Sequence, residues 1–595
     1  MSSYDILTNS WKLSTQMERF MAEKKSALEL RERKHEDWDD NYLLYRNKVK
    51  TNRLTQRQAV NIPLMKETIK TLLSRIDDAP EVDWKELSGD EQKELIYQEV
   101  WNDQSRRNKF ELIDILDKKN VLIYGLSTRK LNIDETGVSV MVLDPYDISY
   151  DPLMNAWDVE SARFIVQTNI FRSVREILAD KRYSKEGKEN IKTWANAPEG
   201  ITQSEKNREE WKKKMERLQA MGVQDDEFPL FAGGDRIINL TEHYTRVWDT
   251  KKEDWERRVI VYADDKIELL DEKLEDLIGV DFWPFVLWTE DPETADIYPD
   301  SVADLVRTPN KVLNVWFSQL IENRTLKNFQ MHWFLPSQGY TAQTYTPGPG
   351  MMLPAPPGDD VNKVIKPVEV SGLDDTLTAI QGVVQLVERA TGATAIEKGV
   401  AEKGTQTLGE VEILVGKATE RATSMSKFYK TSWYELAVKW NKMMHANAPK
   451  ILKLFKMSKD GKAFPKTVVK TDWISKAGYE PIVRSTSEQE QDNTKSVQKF
   501  MFILAQFPNN LALRKIAQKR MLELVDLTSE ELREVEEGEK EAQRIAEQAQ
   551  LQPQLSTQAT EPQASPPSEV APDEDLEDME HIVRRMQQIN QLTNA

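Results

Sequence analysis

The sequence predicts a mainly helical α+β protein, and three observations support that prediction. Three segments with helical apolar spacing and recognisable caps run through residues 304–444. Between residues 126 and 290 the apolar spacing changes to two, which indicates a β-containing module. The chain has 595 residues and is 39% hydrophobic, enough for several cores and more than one domain.

The last of the three helices is predicted to be very long. Thr407 and Glu410 have capping-box spacing, so the helix should begin at Leu408. Apolar or small residues then recur in steps of three and four until Ala448-Pro449 forbids continuation. At about 1.5 Å per residue the helix would span some 55 Å, which suits a helix that bridges layers of an assembly.

The two earlier helices are shorter. The first is predicted to have Thr308 as its cap and Pro309 in its first position, where a missing N–H costs nothing. The second is predicted to start at the caps Ser371 and Asp374 and to stop at Thr391-Gly392, with a narrow apolar seam suited to helix–helix packing.

The connection between these two helices, residues 328–358, contains no Asp, Glu, Lys or Arg, although 30% of the chain is charged. Two interpretations are open. A disordered linker is one, but linkers are usually charged and poor in aromatic residues. We favour an ordered segment buried against another subunit, since uncharged aromatic surface without its own core needs a partner. Its aromatic residues are Phe329, Trp333, Phe334, Tyr340 and Tyr345.

The rest of the chain divides by pattern. Residues 183–228 are rich in lysine and glutamate and predict an exposed helical insertion, while 550–572 are rich in Gln, Pro, Ser and Thr and predict disorder. Further helices are predicted at about 14–50, 64–74, 90–121, 491–549 and 576–592. Turns around a short extended piece are predicted at 144–152. Strands are predicted at 126–133, 138–143, 162–168, 236–248, 255–263, 282–288, 451–457 and 467–471.

Composition excludes several classes of protein. The N-terminal residues lack a signal-peptide pattern, and no segment approaches the roughly 18 to 20 apolar residues that span a bilayer, so we expect no membrane insertion. There is no cysteine, which excludes disulfides and thiolate chemistry. The net charge is −18, of which residues 529–595 supply −11 (sixteen acids, five bases). The mildly acidic remainder disfavours a tight grip on nucleic acid.

Catalytic and metal-binding motifs are not evident. The five histidines are scattered without ligand spacing, and we interpret them as structural or exposed. The segment Gly399 to Thr405 resembles a phosphate loop, but Lys403 precedes Gly404 instead of following it. We therefore predict no enzyme activity, no cofactor and no metal.

Three local patterns, taken in their order along the chain, resemble the portal proteins of tailed bacteriophages. One is the helix ending at Tyr124-Gly125 that leads through a hairpin to the DPYDISYDP stretch at 144–152. The second is YPDSVADL at 298–305, which runs into the Pro309 helix. The third is TGAT at 391–394, which leads to GTQTLGE at 404–410 and the long helix. Together they cover about residues 50–530.

The resemblance implies a multilayer subunit in a ring, usually of twelve copies, around a DNA channel. The implied layers are a wing (1–304), a first stem helix (305–327), a clip (328–370), a second stem helix (371–392), a tunnel loop (393–406), a long channel and wing helix with a hairpin (407–490), a crown (491–549) and an acidic tail (550–595). The insertion and the tail depart from the simplest family pattern, and the resemblance assigns them no role.

The resemblance also implies which residues act. Lys398, Lys403 and Gln406 would face the DNA, and the clip would contact neighbouring subunits, the adaptor and the terminase through Trp333, Phe334, Tyr340, Tyr345, Met351 and Met352. The implied partners are further copies of the chain, double-stranded DNA, terminase, head-completion, adaptor or tail proteins, and the capsid and scaffolding proteins. The implied location is the capsid vertex of the virion, reached from the host cytoplasm during assembly.

Two other classes stay open at this point. A non-viral helical scaffold could use the same helices to dimerise and residues 328–358 as a binding groove. An enzyme is a more distant alternative. Closed rings with a central hole would distinguish a portal from a scaffold.

Overall fold

The computed structural model describes residues 16–48, 60–74, 76, 80–134, 137–155, 157–195, 231–232, 235–249, 252–294, 296–329, 332–334, 365–367, 375–392, 408–447, 451–457, 463–484, 499 and 501–502. The chain divides into two units, Met1–Leu524 and Val525–Ala595, and all the described residues belong to the first. They form a mixed α+β structure with more residues in helices than in strands, as predicted.

The longer helices lie before and after the β-containing region in the sequence, and three short helices lie within it. They are α1 (Gln16–Glu32), α2 (His35–Tyr45), α3 (Leu64–Leu73), α4 (Glu91–Asn108), α5 (Phe110–Tyr124), α6 (Val174–Ala179), α7 (Lys185–Ala195), α8 (Leu274–Ile278), α9 (Val302–Asn328), α10 (Thr376–Thr391), α11 (Leu408–Ala446) and α12 (Lys470–Trp473).

The strands form antiparallel pairs throughout the described part of the chain. They are β1 (Glu81–Glu86), β2 (Ser127–Asp134), β3 (Gly137–Leu143), β4 (Ile148–Tyr150), β5 (Phe164–Ser173), β6 (Phe231–Ala232), β7 (Asp235–Asp249), β8 (Asp254–Ala263), β9 (Ile267–Lys273), β10 (Phe285–Trp288), β11 (His332–Phe334), β12 (Ile365–Pro367), β13 (Ile451–Met457), β14 (Ala463–Val469) and β15 (Tyr479–Arg484).

Two predicted helices are each broken into two. The 14–50 segment forms α1 and α2. The 90–121 segment breaks at Lys109, whose φ of 55° is left-handed and ends α4. The break allows Trp101 of α4 and Phe110 of α5 to pack together with their ring centroids 5.4 Å apart. Both segments are helical as predicted, but the single helix predicted over 90–121 was wrong because the apolar spacing does not reveal a one-residue change of direction.

Two sheets make up the β-containing module. The predicted hairpin over 126–143 is confirmed as β2 and β3, and β10 joins its edge in the order β10-β2-β3. The larger sheet has the order β4-β5-β7-β8-β9, with β6 paired to β7. The predicted turns at 144–152 are confirmed, because a 3-10 turn at Pro145–Asp147 precedes the short strand β4. The strand β9 was not predicted.

The C-terminal strands differ from the prediction. β13 pairs with a strand at Ala463–Val469, so the predicted strand at 467–471 was wrong beyond residue 469, where α12 begins. The last strand, β15, pairs with β1 near the other end of the described chain, with Trp84 opposite Pro481. Neither member of this pair was predicted, since nothing local in sequence shows a pairing between such distant segments.

The insertion is more tightly attached than expected. Residues 196–228 of the predicted exposed segment lie outside the described residues. In α7, however, Ile191 is fully buried, and the backbone N–H of Ser184 donates to the carbonyl of Leu269 in β9 at 2.8 Å. A side chain at Gly187 would meet the carbonyl of Glu268 at 2.4 Å. The start of the insertion is therefore packed on the edge of the large sheet.

The long helix is confirmed, with α11 beginning at Leu408 and running for 39 residues. Its C-terminal half lies in the main hydrophobic core, whose largest buried side chains include several tryptophans. Tyr429, Trp433, Leu436, Trp440 and Met443 are each at most 1% exposed. The spacing of three and four residues that predicted the helix thus marks the face that it buries.

Candidate functional site at the paired helices and the long helix

The helix α9 begins earlier than predicted. Ser301 and Asp304 form a capping box, in which the Ser301 Oγ accepts from the N–H of Asp304 at 3.2 Å and Asp304 Oδ2 accepts from the N–H of Ser301 at 2.7 Å. Pro309 therefore lies inside the helix, and the predicted start at Thr308 and Pro309 was wrong. Pro309, the eighth residue of the helix, removes one helical hydrogen bond, and the helix continues through it because residues on both sides, including Val306 and Leu313, are buried in the core.

A row of short polar side chains runs along the buried side of α9. Asn310, Asn314 and Ser318 are spaced by four residues and are at most 7% exposed. Asn314 Oδ1 accepts from the backbone N–H of Ile62 at 2.8 Å, and Ser318 Oγ accepts from that of Val60 at 3.1 Å. These side chains hold the extended segment before α3 against the helix, satisfying backbone donors that would otherwise be buried without partners.

Salt bridges add a second attachment at the start of α9. The guanidinium of Arg307 lies 2.7 Å from Asp37 and 2.9 Å from Asp304, and Lys311 pairs with Asp40. The Asn41 amide also donates to Asp304 at 3.0 Å. The acidic side chains of Asp37 and Asp40 thus fix the start of α9 against α2.

The helices α9 and α10 pack against each other and form a helical pair. Ile380 and Val387 of α10 are buried, and the helix ends at Gly392, which has a φ of 77°. The predicted stop at Thr391-Gly392 is therefore confirmed, while the predicted caps Ser371 and Asp374 lie outside the described residues. The two helices match the segments predicted as stem helices by resemblance.

Much of the surface of α10 is exposed, and residues 376–387 contain no acid or base. Leu377 and Leu386 are 55% and 59% exposed, and because they are nine residues apart they lie on opposite sides of the helix. Gly382 lies one turn from Leu386, and a side chain added there would meet nothing within 4 Å. The side of α10 that carries Gly382 and Leu386 is therefore suited to contact with another helix.

The segment between α9 and α10 is described only at its two ends. Trp333 and Phe334 lie on β11, which pairs with β12 so that Trp333 is opposite Lys366 and Phe334 is opposite Ile365. This pairing closes the segment on itself close to the helices. The other predicted clip residues lie outside the described residues, namely Tyr340, Tyr345, Met351 and Met352.

The predicted DNA-facing residues Lys398, Lys403 and Gln406 also lie outside the described residues, as does the whole of 393–407. The structure describes the elements on both sides, the end of α10 and the start of α11. The site residues at 393–406 therefore stay a prediction.

A buried cluster of charges joins α11 to α5 and β2. The ammonium of Lys118 lies 2.7 Å from Asp114, and the guanidinium of Arg129 lies 3.6 Å from Asp117, with Arg129 and Asp117 fully buried. Burial raises the pKa of both Asp114 and Asp117 despite the nearby cations. From α11, the Tyr429 hydroxyl donates to Asp114, and Ser432 accepts a hydrogen bond from Arg129.

Arg129 also stacks on the long helix. Its guanidinium carbon lies 5.2 Å from the centre of the Trp433 ring. The charged and the aromatic contacts are both made by the same face of α11. The cluster therefore fixes the rotation of α11 about its own axis. Sequence reasoning missed Arg129 and the row on α9; the four-residue spacing of Asn310, Asn314 and Ser318 was the one signal available.

Two of the described histidines, His243 and His445, are packed among other side chains, in agreement with the structural role expected for them. His243 is fully buried and its Nε2 lies 2.8 Å from Glu23 of α1. Burial lowers the pKa of His243, opposed by Glu23. His445 of α11 lies against Trp473 and Tyr479 with ring centroids 5.8 and 5.6 Å away.

The family model described as Phage SU10 portal protein matches residues 40–464, which is most of the chain and includes both paired helices and the long helix. This match defines a phage portal protein, a component of the virion. The chain belongs to the Phage SU10 portal protein family.

A solved structure is also similar. A chain from the structure titled "Virion of native gene transfer agent (GTA) particle" matches 67% of this chain and 81% of its own length, at 11% identity and a TM-score of 0.33. Comparison with curated proteins gives no significant match.

Searches for other kinds of site gave two results. Among the described helices, none is long and apolar enough to cross a membrane. Among the described side chains, no group of three or more His, Asp or Glu residues is arranged to hold a metal ion.

Proposed function

We propose that this portal protein assembles into a closed ring through which double-stranded DNA is packaged and ejected, and that the ring docks terminase and later adaptor or tail proteins. The observation that carries the proposal is the family match over residues 40–464. In this account α9 and α10 form the stem, the segment between them forms the clip, and residues 393–406 form the tunnel loop.

The exposed face of α10 supports a ring of identical subunits. Gly382 and Leu386 lie on one exposed, uncharged side of the helix, and a side chain at Gly382 would meet nothing within 4 Å. In a ring, each subunit contacts the next through two different surfaces. The exposed side of α10 would therefore be covered by a different surface of the neighbouring subunit and need not be complementary to itself. The neighbour's α9 or α10 would bury Leu386.

The charge distribution supports passage of DNA without a tight grip. The first 528 residues carry a net charge of −7, so the ring would not be held on phosphates by a large basic surface. Lys398 and Lys403 of each subunit would be the cations that contact the phosphates of the passing DNA, and Gln406 would lie beside them. The clip residues Trp333, Phe334, Tyr340, Tyr345, Met351 and Met352 would be buried against neighbouring subunits or docked proteins.

The experiment is an assembly measurement on a charge variant of α10. We expect Leu386→Glu to reduce assembly of purified protein strongly, as measured by sedimentation velocity, because the carboxylate would be buried at a subunit contact. The matched control is Leu153→Glu. Leu153 is 74% exposed and lies on a turn of the β-containing module. Unchanged melting temperatures would show that both variants fold, and native assembly by the folded Leu386→Glu variant would contradict the proposed role of α10.

A further inference from the structure

The helix α1 lies on one face of the larger sheet and is attached apart from the main hydrophobic core. Phe20 and Ala27 of α1 each pack in a small cluster of their own, and neither cluster belongs to the main core. The sheet contributes to these two clusters Ile260, Tyr262, Phe164 and Val166. The helix could therefore leave the sheet without opening the main core.

The remaining contacts between α1 and the sheet are polar and of complementary charge. The carboxylate of Glu23 lies 2.8 Å from Nε2 of His243 and accepts from the hydroxyl of Thr245 at 3.1 Å. The ammonium of Lys24 lies 2.8 Å from Asp265. A small apolar area combined with hydrogen bonds and ion pairs is typical of a contact between two separately folded pieces, and less so of a core.

The end of α1 next to α2 carries a cost in this arrangement. Arg31 is 1% exposed, and its Nη1 is buried without a hydrogen-bond partner. Its Nε donates to Nε2 of His35 at 3.2 Å. A buried guanidinium with an unused donor weakens the docking of the helix that carries it.

The joint between α1 and α2 is two residues long, Arg33-Lys34, and contains no glycine or proline. Lys34 has φ −96° and ψ −7°, within the right-handed helical region, and among the described residues 16–46 none has a positive φ. The break at Lys109 differs, because its φ of 55° is left-handed. Since the sequence pattern also predicts one helix over 14–50, small changes in φ and ψ at the joint would make α1 and α2 continuous.

We infer that in the assembled ring this joint straightens and α1 of each subunit docks on the larger sheet of the next subunit. The inference rests on the proposed ring, in which every subunit has a neighbour with an identical sheet. The contacts of α1 are the same whichever copy supplies the sheet, so the exchange keeps them and adds a link between subunits. An unbroken helix over residues 16–45 would be some 45 Å long, against about 25 Å for α1 alone, which extends its reach towards the neighbour.

Cross-linking distinguishes an exchanged α1 from one that stays on its own sheet. Because the chain has no cysteine, a protein carrying both Lys24→Cys and Asp265→Cys can be treated with a short bismaleimide without background reaction. Unassembled protein should give internally cross-linked monomers, while assembled rings should give a ladder of multimers. A protein with one of the two cysteines cannot give a ladder and is the control. Assembled rings that yield no multimers would overturn the inference.

Charge reversal gives a second test that needs no cross-linker. Lys24→Glu places like charges at the contact with Asp265, and Asp265→Lys does the same from the sheet. Each variant alone should need about tenfold or more protein for half assembly than wild type. An equal mixture of the two should return to within about threefold of wild type, because in an alternating ring every exchanged α1 meets a sheet of opposite charge. Without the exchange both chains stay mismatched, and mixing rescues nothing.

Two controls accompany the charge reversal. A chain carrying both Lys24→Glu and Asp265→Lys should assemble like wild type, since the pair is restored whichever copy supplies the sheet. Lys25→Glu, at an exposed lysine of the same helix, should also assemble like wild type. Similar melting temperatures would establish that every variant folds. Full assembly by either single variant, or a mixture no better than its components, would contradict the exchange.

The outcomes separate this inference from the proposed function. If the wild-type chain forms no rings, the ring itself is wrong and the exchange falls with it. If wild-type rings form but give only internal cross-links, and mixing rescues nothing, the ring stands and α1 stays on its own sheet.

Discussion

The side-chain oxygen of Asn310 accepts a hydrogen bond from the backbone N–H of Met65 at 2.8 Å, in a position where Asn310 is 1% exposed. The amide nitrogen of the same side chain donates to the carbonyl of Ile62 at 3.2 Å. One asparagine of α9 therefore satisfies both a donor and an acceptor of the segment that leads into α3. The side chains of α9 thus form hydrogen bonds to the backbone of the segment that leads into α3, as the backbone of a neighbouring β-strand would.

Replacing Asn310 should lower the free energy of unfolding of the subunit. Asn310→Leu keeps the side-chain size but leaves the N–H of Met65 buried without a partner, which should cost about 1–3 kcal/mol of unfolding free energy. Urea denaturation measures the loss. Gln319→Leu, at an exposed position of the same helix, is the control and should stay within about 0.5 kcal/mol of wild type. If the two variants are equally stable, the hydrogen bonds of Asn310 do not hold this segment.

The buried charge cluster predicts a different pattern. Arg129→Met leaves Asp117 buried without its cation and should cost about 3–5 kcal/mol. Adding Asp117→Leu in the same chain removes the uncompensated charge, so the double variant should be closer to wild type than Arg129→Met alone. Urea denaturation of the two single variants and the double variant gives the coupling. Additive losses would show that the two residues do not act as a pair.

Much of the helical core could be predicted from sequence. The start of α11 at Leu408 and the stop of α10 at Gly392 follow from capping chemistry and from glycine's tolerance of a positive φ, both of which depend on a few neighbouring residues. The start of α9 was wrong because Thr308-Pro309 and Ser301-Asp304 are both plausible caps, and tertiary contacts from Asp37, Asp40 and Asn41 favour the earlier one.

Long-range features could not be predicted. The pairing of β1 with β15 and the charge cluster of α5, β2 and α11 each depend on residues far apart in the chain. The local pattern around Arg129 is that of an ordinary strand. The predicted contact residues at 328–358 and 393–406 lie mostly outside the described residues and stay predictions.

Glu290, between β10 and α9, predicts a pH dependence. Its Oε2 is buried without a partner, and burial, reinforced by Asp291, raises the pKa of Glu290 to about 8. A carboxyl group whose pKa is higher in the folded than in the unfolded chain stabilises the fold at low pH. That contribution is complete below about 4.5 and is lost as the pH rises through about 8.

Glu290→Gln should remove this pH dependence. The variant should melt at a higher temperature than wild type at pH 9, and the difference should shrink towards pH 6, as measured by calorimetry across that range. Glu293→Gln, at a nearby exposed position, should follow the wild-type curve. A Glu290→Gln variant whose melting temperature falls with pH in parallel with wild type would contradict the buried state of this carboxyl.

The predicted tunnel loop can be tested with a double variant. If Lys398 and Lys403 contact passing phosphates only transiently, replacing both with Ala should leave the melting temperature and assembly unchanged. The effect should appear as altered length or retention of packaged DNA in assembled particles, because each small contact is repeated around the ring. A destabilised protein that packages normally would mean that 393–406 is a structural turn and not a DNA contact.

The central claim is that this chain forms a portal ring, and electron microscopy of the purified wild-type protein tests it most directly. The account predicts closed rings with a central hole wide enough for a DNA duplex and with the paired helices α9 and α10 arranged around the axis. Only monomers, or dimers joined through α9 and α10 without a channel, would contradict it and would favour a helical scaffold instead.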